Sequence, residues 1–518
     1  MLKMVDGTGI IGVDMVCPLG GAVSPPQPPN YDNIEMEGVG SLMLPNGLKA
    51  PLERVELIGN SVQGENPAPD NPQEIKSAGR KSKNLFNIAD LRVGQVQKDG
   101  TINEKQIYYR TVILDVPQDG KYRITFNSND DYTMLYFTEA YANGAYSNPY
   151  MRVHAGSPNY YITLAKGKNI LSFSTHTASE NIVFTTDHNI MIAAESETTD
   201  YEPYGYLLDL KVTGKNLLDK SIILPLSSYD IKDGIYWRKY FYLLPNTDYL
   251  IRVTPHYTEK LVDTSGFLGV GEPYDNNLPN GIISLIPDVG TTDKTNYFRT
   301  DATGKLILEF KGSANEENIR KMLEQAEITL ALKTFNNEHE PYHEQTVQIA
   351  LNEPLRGVGD YKDTITKDGV VWKIKRVVLD GSEDEKWGLS REHTNHINFA
   401  LVLKDATTVN TGIRTMMDKF KHFGAVWNSD VAGQDMFGKT LRINIQKTLA
   451  STAEEFKTWL SQNPLTVDYV LETPTTEPLP ESVQDQLSAL HSENGTTHVF
   501  VDSGEVPCGI KLTYRKEK

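Results

Sequence analysis

The chain has 518 residues, 39% of them hydrophobic and 23% charged, with a mean hydropathy of −0.41 and a formal net charge of −17. That length holds roughly three or four domains. The acidic balance argues against nucleic acid or an anionic membrane as partner, since both select a basic surface, and with no apolar run of about 18 residues no membrane insertion is expected.

In chain order, the first segment reads MLKMVDGTGIIGVDMVCPLGG. Asp6 and Asp14 interrupt the apolar core that a signal peptide needs, so export by the general secretory route is not expected. Gly7 to Gly12 match GxGxxG, but a dinucleotide site needs a strand before and a helix after, and Pro18, Gly20 and Gly21 oppose a helix. Cys17 and Cys508 stand at opposite ends, with neither disulfide-framework nor metal spacing. Residues 1–50, with SPPQPPN inside them, are expected to form an extended N-terminal arm or attachment segment. Residues 51–79 read as a strand followed by a stiff Pro-rich linker, GENPAPDNPQEIKSAG.

Two stretches then repeat one another. KSKNLFNI (81–88) returns as TGKNLLDK (213–220), and YYRTVILDVPQDGKYRITF (108–126) as YWRKYFYLLPNTDYLIRV (236–253). GKNILSFS returns as GKLILEFK, HNIMIAA as AEITLAL, and YEPYGY as HEPYHE, all in the same order. Two copies of one module follow, over about 80–207 and 212–345. Their apolar segments are short, alternate with period two and are separated by Gly, Pro, Asn and Asp, which is the pattern of a β-sandwich, jelly-roll-like in its strand spacing. One helix is expected in the second copy, over SANEENIRKMLEQAE with Ser313 as N-cap.

After 345 the pattern changes. VVWKIKRVVLDG, LTVDYVLETP, HVFVDSG and CGIKLTYR read as strands, and TAEEFKTWLSQN (capping box Thr452 and Glu455) and PESVQDQLSALHS as helices. A separate, smaller α+β domain is expected over 346–518. The fold class is therefore mainly β: two tandem jelly-roll-like sandwiches, then an α+β domain, with the extended arm in front.

Chemical motifs are sparse. His339 and His343 stand four apart in EHEPYHE, but Pro341 between them opposes the helix that would make them a metal pair, and His393 and His396 fare no better. No GxSxG and no P-loop is present, and 68 acidic residues make a search for paired carboxylates uninformative. No catalytic residue is assigned, and no enzyme is expected. The best binding signal is DYTMLYFTEAYANGAYSNPY (131–150), where Tyr132 and Tyr136 read as strand and Tyr141, Tyr146 and Tyr150 as a loop. A tyrosine offers a flat apolar face and a polar tip, which suits a sugar ring or a protein neighbour, so Tyr141, Tyr146 and Tyr150 are the candidate glycan contacts. Asp130 and Asp131, in NSNDD, are weak calcium candidates; otherwise no cofactor is expected.

SVQGENPAPDNPQEIKSAG, KNLFN, YEPYG, EPLRGVGDYKDTI, VVLDGSEDEKWG and VDYVLETPTTEPLPE, taken together and in this order, resemble minor structural proteins of tailed phages and prophages of Gram-positive bacteria, from tail tip, baseplate or fibre. The resemblance covers about 50–518. It implies a virion protein made in the host cytoplasm, homo-oligomeric and trimeric by analogy, contacting other tail proteins and carrying carbohydrate-binding-like modules that attach to host cell-surface glycan. It carries no catalytic residues across; the alternatives are a glycan-degrading tail enzyme and a purely architectural virion component without ligand.

Overall fold

The computed structural model describes residues 4–6, 9–11, 31–47, 49–126, 134–149, 151–154, 160–175, 188–197, 200–223, 231–233, 236–244, 246–256, 267–274, 278–284, 294–300, 304–311, 324–334, 339–424, 429–493 and 495–517. Strand dominates, and no helix among the described residues is long and apolar enough to cross a membrane. The expected helix around Ser313 lies mostly outside the described residues.

The first sandwich has one sheet ordered Ala145–Ser147, Met134–Ala142, Gly167–Thr175, Arg110–Val116, Arg92–Val93, with Met151–His154 also on Met134–Ala142. It faces a second sheet ordered Tyr160–Leu164, Gly120–Thr125, Met191–Ala194. Successive long strands alternate between the sheets. Their inner faces bury Val112, Leu114, Tyr122, Ile124, Phe137 and Phe173. The second sandwich repeats this order: Leu278–Ser284, Phe267–Tyr274, Lys305–Lys311, Tyr236–Tyr242, Ile231–Asp233 in one sheet, and Lys294–Arg299, Asp248–Pro255, Ala326–Leu332 in the other.

The repeated Lys-Asn-Leu phrase has one role in both copies. The Asn84 carboxamide is buried and donates to the carbonyls of Ile190 and Glu202, 3.0 Å each, while its oxygen accepts from the amides of Phe86 (2.9 Å) and Ile192 (3.1 Å). Asn216 donates to the carbonyls of Ile328 and Glu340, 3.0 Å each, and accepts from Leu218 (3.1 Å) and Leu330 (3.0 Å). The next residue continues the pairing, with the Leu85 amide on Ile192 and the Leu217 amide on Leu330, both at 2.8 Å. A buried side chain using two donors and two acceptors leaves nothing unsatisfied. The preceding lysines pair with carboxylates, Lys83 with Glu197 and Lys215 with Glu340.

The rest of the chain departs from the expected order of domains. Residues 31–47 of the expected arm are extended, but they are two strands of a sandwich built mainly from the C-terminal half. Tyr31–Val39 pairs with Gly509–Glu517, and Ser41–Gly47 with Gly495–Asp502. One sheet of this host sandwich runs Tyr31–Val39, Gly509–Glu517, Leu52–Ile58, Thr364–Thr366, Gly369–Leu379, Leu465–Glu477, Thr415–Met417. The other runs Glu344–Leu351, Tyr206–Thr213, Gly495–Asp502, Ser41–Gly47, with Arg80–Lys81 on Tyr206–Thr213. Leu57, Leu210, Ile349, Val499, Cys508, Ile510 and Leu512 fill the space between, and helix Glu481–Ala489 adds Leu487. The expected α+β domain is thus discontinuous, because a strand's pattern fixes which face is buried and says nothing of which distant strand it meets.

Three segments loop out of this host, each between strands that pair. The first sandwich leaves at Lys81 and returns at Tyr206, which face each other. The second leaves at Thr213 and returns at Glu344, again a facing pair. The third leaves at Leu379 and returns at Leu465, and its Thr415–Met417 pairs back onto the host sheet. It carries the sheet Gly388–Glu392, His396–Val402, Thr440–Gln446, Gly433–Phe437 under helix Ala453–Gln462, whose Phe456 stacks on Phe399 at 4.5 Å and meets Trp387 edge-on at 4.9 Å. Thr452 caps this helix, accepting from the Glu455 amide at 3.2 Å, and the Glu455 carboxylate reaches back to the Ser451 amide at 2.7 Å.

The Pro-rich segment is docked and does not act as a spacer between separate domains. Ala68 and Asn71 exchange backbone hydrogen bonds, the Gln73 amide donates to the Asp418 carbonyl at 2.7 Å, and Ala78 pairs with Leu355. Pro69 lies in the tight turn that this exchange closes, and amides beyond Pro72 find partners in the third insertion and the host.

Asn84→Ala should orphan buried partners in the first sandwich alone, costing about 3 kcal/mol, or on the order of 100-fold in amide protection at Phe86 and Ile192. Asn216→Ala should do the same at Leu218 and Leu330. Site-resolved hydrogen exchange checks both, and loss of protection in the unmutated sandwich would contradict the assignment.

Candidate functional site

Of the candidate residues, Tyr150, Asp130 and Asp131 lie outside the described residues, as does Tyr132. Tyr141 and Tyr146 do not sit in a loop as expected. They face each other across strands Met134–Ala142 and Ala145–Ser147, joined by Asn143 and Gly144 with φ of +48° and +80°. Two positive φ values at an Asn-Gly pair make the tight hairpin turn whose twist matches its strands. Directly opposed residues point to one face, so both rings lie on the outer face of the first sandwich.

A bulge after Phe137 decides what joins them. Before it, Leu135 and Phe137 face the core; after it, Ala140 does, and Glu139 and Tyr141 turn outward. Glu139 stands opposite Ser172 and Ser172 opposite Thr111; Tyr141 stands opposite Ile170 and Ile170 opposite Ile113. The short ribbon Gln95–Val96 and Ile102–Asn103 lies over this face, tied by the Ser172 hydroxyl, which accepts from the Val96 amide at 2.7 Å and meets Thr111 Oγ1 at 2.7 Å.

Glu139 is only 8% exposed. Gln95 Nε2 donates to it at 2.7 Å, and the Thr138 hydroxyl donates as well. The Tyr109 and Tyr146 phenols are both pushed above their ordinary range, first by burial and then by the Glu139 charge. Tyr136 sits along the same face with the Arg152 guanidinium 5.4 Å from its ring centre. The result is a half-covered patch of tyrosines around a paired carboxylate. It offers hydroxyl donors, a strong acceptor and apolar ring faces, the set that a polyhydroxylated ligand uses. Glu139, Gln95 and Tyr109 were missed by pattern alone. The available signal was YFTEAYA, where Thr-Glu breaks the alternation.

The register position of Glu139 is not repeated as a carboxylate in the second sandwich. By strand register, the residue facing Glu309 in the second sandwich is Gly269, where the residue facing Ser172 is Glu139, and Arg238 stands where Thr111 does. The histidines form no site either. His339 Nδ1 is 2.8 Å from Thr329 Oγ1, with its pKa lowered by burial, and His396 Nδ1 is 3.0 Å from Asp430. No group of three metal-ligating side chains occurs among the described residues.

No protein-family model matches this chain, and no curated protein sequence does. Among solved structures, it is similar to tripeptidyl peptidase 2 at 9% identity and a TM-score of 0.14, covering 90% of this chain and 37% of the peptidase. It is also similar to the infectious bursal disease virus VP2 subviral particle at 8% identity and a TM-score of 0.11, covering 96% of this chain and 84% of that one, and to the Gx strain of that virus at 7% and 0.10. The chain thus spans little more than a third of the peptidase. TM-scores of this size report common strand content without a common arrangement, and no function follows from them.

The ribbon gives a local test. A Cβ on Gly100 (φ +81°) would lie 2.6 Å from the Tyr141 ring, whereas one on Gly144 (φ +80°) meets nothing within 4 Å. Gly144→Ala should cost about 1 kcal/mol of backbone strain. Gly100→Ala should cost about 1–3 kcal/mol more through the clash, read as the difference in urea midpoint between the two variants.

Proposed function

We propose that this chain is a non-enzymatic virion structural protein of a tailed phage, placed at the tail tip, baseplate or a fibre, and that the outer face of its first sandwich contributes to attachment to host cell-surface glycan. One observation carries the reading: a single host sandwich holds three folded units, each looped out between paired strands. Such a chain is a rigid frame presenting modules outward, which suits a particle component that must be anchored and still reach a surface. The motif resemblance supports the virion setting, and the Tyr146–Glu139 patch supports the ligand class. Sites of about millimolar affinity become effective when an oligomer engages several at once, so we place the chain in a homo-oligomer, a trimer by the same resemblance, in contact with other tail proteins. Residues 31–47 pair with the chain's own C-terminal strands. A purely architectural reading has one observation in its favour, the ring of Tyr141 packed beneath Gly100.

Tyr146→Phe should keep most binding to walls of susceptible Gram-positive cells, because ring stacking needs the face alone. Tyr146→Ala should lose on the order of 1 kcal/mol or more per site, and Glu139→Gln should weaken binding while keeping its shape. Equal binding by all variants, at equal melting temperature, would remove this face as the site. Light scattering of full-length protein at micromolar concentration should give a multiple of the 58.0 kDa chain mass; a monomer throughout would count against the oligomer.

A further inference from the structure

We propose that the host sandwich carries a second binding site, independent of the tyrosine face: a pocket for a neutral hexopyranose where strands Gly369–Leu379 and Leu465–Glu477 part. The two strands pair from Val370↔Glu477 to Trp372↔Thr475 and again from Ile374↔Val470, so Lys373 on one side and residues 471–474 on the other drop out of the ladder. The break is held by a buried carboxylate. Asp363 accepts the amides of Lys373 (2.7 Å) and Ile374 (3.0 Å) with one oxygen and that of Arg356 (2.9 Å) with the other. An irregularity whose amides are satisfied inside the fold is a built feature, and bulges of this kind re-aim side chains beside sites.

The opening holds a cavity of about 470 Å³, within the range of small-ligand pockets. Its walls include Trp372, Arg356, Asn352, Thr473, Thr475 and Glu477. The half-buried indole is fixed by its N–H on the Glu477 carboxylate at 3.0 Å, and it supplies the flat apolar wall that a pyranose ring stacks on. The charges around it are already matched: Arg376 binds Asp468 with two bonds of 2.7 and 2.8 Å, Lys375 binds Asp405 at 2.6 Å, and Arg356 binds Glu353. An anion would find no uncompensated cation there, whereas a sugar hydroxyl, donor and acceptor at once, can share each of these groups. Arg356 closes one wall; it is 4% exposed, and its guanidinium is held on Glu353.

The test is saturation-transfer NMR on the full-length protein with D-glucose, D-galactose and N-acetyl-D-glucosamine as probes. Measured in Tyr146→Ala protein, so that the tyrosine face contributes nothing, at least one should show saturable binding, weakened at least tenfold when Trp372→Ala or Thr475→Val is added. Thr475 is exposed on its strand, so its variant keeps the fold and decides the matter should Trp372→Ala fail to fold. The proposal is overturned if no probe saturates, if binding survives Thr475→Val, if inorganic phosphate displaces the sugar, or if Tyr146→Ala abolishes binding seen in the parent protein. The last outcome would place the sugar on the first sandwich and leave the proposed function standing, whereas loss on adding Thr475→Val to Tyr146→Ala separates the two sites.

Discussion

One carboxamide in each sandwich sets the terms for the whole chain. Asn84 joins the first segment of its module to the last strand and to the carbonyl of Glu202 at the exit, and Asn216 joins its own to Glu340. The incoming and outgoing chains therefore leave each sandwich side by side. A unit whose ends already lie together can be set between two neighbouring strands without prying them apart, and the host pairs Lys81 with Tyr206 and Thr213 with Glu344 at those points. Without the clamp, closing a loop of more than a hundred residues at strand spacing would fall to the host sheet and backbone bonds such as that of Leu85 to Ile192, at an entropic cost that rises with loop length.

The same arrangement explains what could be read from the sequence. The duplication was legible because the clamp needs Asn at one place and backbone partners at fixed positions, so KNLF and KNLL survive as words while the strands around them drift. The two sandwiches were legible as period-two segments between turn residues. The host was not. Strands 31–58 and 495–517 are individually readable as extended, but their partnership spans nearly the full chain and rests on facing apolar residues such as Leu57 and Ile510, which any strand could offer. Hence a sheet strand was read as arm, and a docked segment as linker.

Sites fared worse than elements, for a related reason. Tyr141 and Tyr146 were found as a cluster of rings, yet their shared face came from an Asn-Gly turn, and Glu139 joined them only through a bulge that shifts the period by one. In the host, Arg356, Trp372 and Thr475 meet because Asp363 holds three amides at a break in the ladder. Irregular backbone brings such groups together, and regular patterns are what sequence reading detects. Ordinary strand regions of this chain read well; the irregular ones carry the polar chemistry.

The clamp also separates fold from face. Apart from the Asn itself, every group in it is backbone: the carbonyls of Ile190 and Glu202 and the amides of Phe86 and Ile192 in one copy, their counterparts in the other. Backbone partners are present whatever side chain stands there, so the outer sheet faces carry none of the burden of closing the module. That is why the second sandwich can keep the strand order while Gly269 and Glu309 stand where Glu139 and Ser172 do in the first. A duplicated frame of this kind does not imply a duplicated ligand site. On this chain the two copies share how they are closed, while the register position of Glu139 is taken by Gly269 in the second.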